Sequence, residues 1–251
     1  MIIAITALKE KMRKKVLYIV SILGGLILVL FGTGTGSISI DGTPVTDYKI
    51  LAPILLTILN AIGCVMAVVL SLDTIPNEYE RKTSHLVLIR KVSQTKYHAA
   101  LTIANIMAGL LAELILFTAF LLFMISQHQG GDIWRLVPAF FISAIGVVLI
   151  CVMTSWLSIF LPRFFAGTLS VIIVLAGVFY NMLELLNSIV GGFAGKLLQG
   201  ILYIVPDLHG IQKQAGSVLA SGTIEVHLLL KGLLWIYIFA TLLGLFKRKE
   251  V

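Results

Sequence analysis

The chain has 251 residues, 59% hydrophobic and 12% charged, with a mean hydropathy of +1.03. Soluble domains carry about 25% charged residues, so this composition argues against a soluble fold, and equally against disorder or a collagen repeat. The net charge of +7 would suit nucleic acid, but its placement between apolar runs is that of a membrane protein.

Residues 1–15 open apolar and then carry Lys9, Lys11, Arg13, Lys14 and Lys15. They read as an interfacial helix whose cationic face suits anionic lipid, or as a plain charged stop before a span. No small-residue cleavage site follows, so a signal peptide is not expected. A bilayer core takes about 20 apolar residues per helix, roughly 17–25. Six runs qualify: about 16–32, 50–72, 99–125, 136–161, 167–190 and 228–246. They lack the alternation of barrel strands. In lipid each backbone group must bond within its own segment, so the runs are expected to be helices.

Six spans put both termini on one side. Most of the 19 Lys and Arg residues fall in one set of loops. These are the N-terminal five, then Arg81, Lys82, Arg90, Lys91 and Lys96, then Arg163, then Lys247, Arg248 and Lys249. The other set holds Lys49, Arg135, Lys196, Lys213 and Lys231. The positive-inside rule places the first set, and both termini, in the cytoplasm. The basic balance is then topology and calls for no nucleic acid.

The loop 33–49 is rich in Gly, Ser and Thr and reads as a flexible external turn; its glycines lack the strand–turn–helix context of a nucleotide fingerprint. The external stretch 191–227 is apolar from Phe193 to Val205 and is stopped by Pro206-Asp207. It is too short and interrupted to span, so short helices at or dipping into the outer interface are expected, or a structured loop packed on the bundle.

Glu113 lies mid-span in the third run and Glu184 in the outer half of the fifth. A charge at mid-bilayer costs about 2.5–3.5 kcal/mol on insertion scales. Asn181, Glu184 and Asn187 share one helical face and are candidates for a translocation path. The alternative, preferred for Glu113, is a protonated acid bonding helix to helix. Asn60 and Asn105 are further polar company. Cys64-Val65-Met66 and Cys151-Val152-Met153 repeat one motif, but residues two apart on a helix point apart. Packing, not a Cu(I) site, is therefore the expected role, and no metal ligand set is assigned. His85 and His98 are expected at the surface or interface. No nucleophile–base constellation appears, so no catalytic residue is expected.

The loop 73–98 carries Pro76 near a helix start, with Asp73 or Asn77 as cap. Glu78 and Glu80 lie early and Arg90 and Lys91 late, in the order a helix dipole favours. Tyr79, Leu86 and Ile89 share a side. This segment, with Ile75, Glu78, Glu80, Thr83, Leu86, Leu88, Ile89, Val92, Ser93 and Tyr97, resembles the cytoplasmic loop of ABC-2 type permeases, the membrane subunits of bacterial and archaeal ABC exporters. The departures are Val92 near a position where the family often has Pro, and Gln94 where it often has Arg. The layout is similar too: a basic N-terminal helix, six spans, and a long external stretch before the last.

The resemblance implies a single all-α integral membrane domain over 1–251 in a prokaryotic plasma membrane. It would have six transmembrane helices, an amphipathic N-terminal helix, a cytoplasmic coupling helix and short external helices. Ile75, Glu78, Glu80, Arg81, Thr83, Leu86, Ile89 and Ser93 would form the ATPase-coupling surface. Partners would be two ABC ATP-binding subunits, and a second copy of this chain or a paralogous permease, within membrane lipid. ATP and Mg would bind the partner ATPase. In this chain Gly191-Gly192-Phe193-Ala194-Gly195-Lys196-Leu197 lacks the spacing and the Ser or Thr of a P-loop. The competing expectations are a stand-alone secondary transporter and a membrane scaffold or integral membrane enzyme.

Overall fold

The computed structural model describes residues 2–13, 15–32, 39–40, 43–44, 48–80, 92–127, 130–190 and 192–245. In chain order the helices are α1 (Ile2–Met12), α2 (Val16–Gly32), α3 (Tyr48–Leu72), α4 (Thr74–Glu80) and α5 (Gln94–Ser126). A 3-10 turn over Gly130–Arg135 leads into α6 (Leu136–Phe160). Then come α7 (Arg163–Val178), α8 (Tyr180–Ile189), α9 (Gly192–Ile204), α10 (Leu208–Ser221) and α11 (Val226–Leu245). Within the Gly-rich loop, β1 (Ser39–Ile40) pairs antiparallel with β2 (Thr43–Pro44). The rest of that loop lies outside the described residues.

Among the described residues, four helical stretches are long and apolar enough to cross a bilayer: Ile50–Glu80, Gln94–Ser126, Ile133–Phe160 and Val226–Leu245. The chain is a helical membrane protein. The expected spans need three corrections. The second continues across Asp73 into α4, because the apolar face carries on through the fully buried Ile75. The fifth is not one straight helix: α7 and α8 meet at 71°. The third starts at Gln94, five residues early, because Ser93 caps it, its hydroxyl accepting from the Lys96 N–H at 3.4 Å. The first expected span forms α2, whose 17 residues stand at the short end of what a bilayer needs.

At the centre, α3, α5 and α6 pack on one another, and α10 packs on both α3 and α6. Lipid tails are as apolar as Leu, so helices associate in a membrane by close packing rather than by the hydrophobic effect. Small residues supply the closeness here. A Cβ on Gly109 of α5 would stand 2.8 Å from Cys151 Sγ and 3.0 Å from Val147 Cγ1, both of α6. The cysteines therefore serve as small packing side chains, and Cys151 also donates to the Asn105 carbonyl at 3.5 Å. Around this seam α2 lies on α5, α7 on α3 and α6, and α11 on α6.

Local signals bound α10. Asp207 Oδ1 accepts from the Gly210 N–H at 2.7 Å, an N-cap. Gly222 closes the helix at φ 76°, a left-handed conformation that favours glycine. Arg135 then donates to the end carbonyls of Leu219 and Ala220, at 3.4 and 3.1 Å, where a cation suits the dipole. The bend between α7 and α8 falls where the chain of α10 enters: a Cβ on Gly177 would stand 2.7 Å from the Pro206 carbonyl oxygen. The fifth run turns aside at that crossing.

Gly109→Leu should destabilise the bundle by about 1–3 kcal/mol through overpacking. Gly25→Ala, where a Cβ meets nothing within 4 Å, should leave it unchanged. Thermal unfolding in mild detergent compares the two directly.

Candidate functional site

The end of the bundle that bears the basic loops is where the described polar side chains are most densely bonded. Its first element is α1. Ala4, Leu8 and Lys11 recur at helical spacing, and this stripe turns toward α5. Lys11 is only 4% exposed. The expectation that α1 presents its whole basic cluster to lipid is therefore corrected at this residue. Its ammonium donates to the Leu70 carbonyl and to Thr74 Oγ1, the latter at 2.6 Å. Leu70 is in the last turn of α3, so the cation sits where the helix dipole is negative.

The bonding continues inward. Thr74 Oγ1 donates to Asn105 Oδ1 at 2.7 Å. Asn105 Nδ2 donates to Ser155 Oγ at 2.7 Å and faces the Ser71 carbonyl at 3.5 Å. Ser155 donates to the Cys151 carbonyl at 2.7 Å. One chain of hydrogen bonds thus links α1, the α3–α4 corner, α5 and α6. Polar groups with no water nearby strengthen such links, and leaving one unmade is costly.

The helix α4 is clamped on its other faces. Pro76 sits in its first turn, where a missing N–H costs nothing. Ile75 is fully enclosed with Tyr97, Leu101, Ile159 and Leu243. Tyr97 donates to Glu78 Oε2 at 2.6 Å. Gln94 donates to the Tyr79 hydroxyl at 2.7 Å, which stands 2.8 Å from His98 Nε2. His98 is 0% exposed, which corrects its expected surface position. Asp73 does not cap α4 with its side chain. It forms a two-pronged ion pair with Arg163 of α7, at 2.6 and 2.9 Å.

Of the sequence-derived coupling residues, Ile75 faces inward, Glu78 is half-buried and bonded, and Glu80 is exposed. Ser93 is the exposed cap of α5. Arg81, Thr83, Leu86 and Ile89 lie outside the described residues, as does His85. Asn181 and Glu184 are exposed and Asn187 half-buried on α8, a helix without a buried residue. Beside α8 is a cavity of about 290 Å³ lined by Tyr180, Tyr203, Asp207, Lys231 and Trp235, among others.

Sequence reasoning missed Lys11 as an anchor and Asn105 as the hub. The signal for Lys11 was its spacing from Ala4 and Leu8. For Asn105 no local signal exists, because its partners are distant in sequence. No protein-family model matches this chain, and no curated protein matches it.

Lys11→Met should leave the Leu70 carbonyl and Thr74 without their donor and cost about 1–3 kcal/mol. Limited proteolysis should then cut the α1–α2 joint faster. Arg163→Ala, which breaks a half-exposed pair, should cost less than about 1 kcal/mol. Denaturation in detergent ranks the two.

Proposed function

We propose that this chain is the membrane-spanning subunit of an ABC-2 type exporter in a prokaryotic plasma membrane. On this reading it has six spans, with α2 and the bent α7–α8 pair counted among them, and both termini in the cytoplasm. It forms the translocation path with a second permease, identical or paralogous. Two separate ABC ATP-binding subunits hold the ATP and Mg and do the hydrolysis; this chain supplies no catalytic residue.

The observation that carries the reading is the helical stretch from Ile50 to Glu80, whose joint at Asp73 is held by Lys11 and the Asn105 hub. A coupling segment must pass a push from a soluble motor into the bundle as a rigid-body motion. A hinge at Asp73 would absorb it. Here that corner is bonded on three sides, and the loop that follows carries the ABC-2-like residues. Within it, Glu80 is the described exposed acid available to a motor, while Ile75 and Glu78 act by holding α4 to the bundle. The residues Asn181, Glu184 and Asn187 remain the proposed polar lining of the path, on a helix whose free face a second subunit would meet.

A second reading is a stand-alone secondary transporter. The bent α7–α8 pair and the half-length α10 favour it, since broken helices carry the sites of such transporters.

Affinity purification from native membranes decides between them. A stoichiometric soluble protein with Walker motifs is the expected companion. A homo-oligomer without any ATPase would support the second reading. In the purified complex, Glu80→Ala should cut substrate-stimulated ATP hydrolysis several-fold while the assembly stays intact on gel filtration. Unchanged stimulation would remove Glu80 from the coupling surface.

A further inference from the structure

The middle of the bundle encloses an acid. Glu113 of α5 is 0% exposed, and neither carboxyl oxygen has a hydrogen-bond partner among the described residues. Its carboxyl fills the space beside Gly63 of α3 that a side chain there would take. Cys64, the next residue, has its Sγ 3.7 Å from where a Cβ on Gly146 of α6 would be, and Ile211 of α10 reaches the same point at 3.9 Å. Four helices therefore meet in one layer.

Within about one helical turn of that layer, about 5.4 Å, stand three more buried polar side chains. They are Asn60 of α3, Ser143 of α6 and Gln212 of α10. Their side-chain polar atoms are also without partners among the described residues. All three lie on the side of the layer toward Arg135. Natural interiors bond most of their buried polar groups, and an unbonded one asks for a water, ion or function to account for it.

The charges around Glu113 select the ligand. Facing it from α3 and α6 are thiols, Cys64 and beyond it Cys151. From α1, Lys11 is engaged eight residues along α5, at Asn105 by way of Thr74. On α10, Lys213 is exposed and His209, two residues before Ile211, is half-buried. The α11 groups His227 and Lys231 are exposed, as is Tyr18 of α2. Among the described residues no cation pairs with the carboxylate, and an isolated charge in this setting costs far more than a neutral acid.

We propose that Glu113 is a proton-binding site at the centre of the bundle, carried as the neutral acid in this closed arrangement. Water that enters beside Gly63 is what receives its O–H, and Asn60 and Ser143 are buried polar side chains within about a turn of it on α3 and α6. The exchange is balanced: the carboxylic acid gives a proton to water that enters and becomes a carboxylate. The short helix α10 packs on α3 and α6 at the same level. The proposal does not rest on the ABC reading, and a proton site fits either transporter.

Infrared spectra of the full chain in lipid nanodiscs test it. At neutral pH the wild type should show a carboxylic C=O band that shifts on ¹³C-glutamate labelling. Glu113→Gln should lose that band, and raising the pH should bleach it in the wild type. Absence of any glutamate-dependent acid band in the wild type overturns the proposal without need of a variant. So does a band that persists in Glu113→Gln.

Discussion

A buried ammonium must be matched by oxygen atoms on several sides, and in this protein Lys11 is placed where those oxygens converge. It takes the Leu70 carbonyl at the negative end of α3 and the Thr74 hydroxyl at the start of α4. Satisfying it requires α1 to lie against α5 and requires α3 and α4 to meet at a fixed corner. Asn105 and Ser155 extend the same constraint to α5 and α6. Much of the geometry at the basic end follows from this one side chain.

The close-packed seam above it sets a different condition. Gly63 and Gly109 bring α3, α5 and α6 near enough that a polar side chain in the seam has little freedom. At the basic end, Lys11, Thr74, Asn105 and Ser155 bond from one helix to the next. Around Glu113 the described side chains do not bond one another. The same bundle thus holds a hydrogen-bonded basic end and a buried acid at its centre without a bonded partner among the described residues. Close packing makes such elements shift as units rather than deform continuously.

Individual residues show where sequence reasoning reached and where it stopped. The caps Ser93, Asp207 and Gly222 act within one helical turn, and their chemistry is local. The bend between α7 and α8 was hidden because no Pro or charged residue stands near Val178–Phe179 in the run; it falls where the Pro206–Leu208 corner comes close to Gly177. His98 resembles a surface residue beside a charged loop until Tyr79 folds back over it. For the coupling residues, the sequence named a segment, while the fold sorted Ile75 and Glu78 inward and Glu80 outward.

Composition and apolar run length determined by themselves that this chain is helical and belongs in a membrane. A backbone in lipid has to bond within its own segment, and that demand is local. Tertiary structure alone decided which polar side chains went inside, how α10 came to lie between α3 and α6, and that Lys11 became an anchor. Those outcomes depend on contacts between residues tens of positions apart, and hydropathy along the chain carries no record of them.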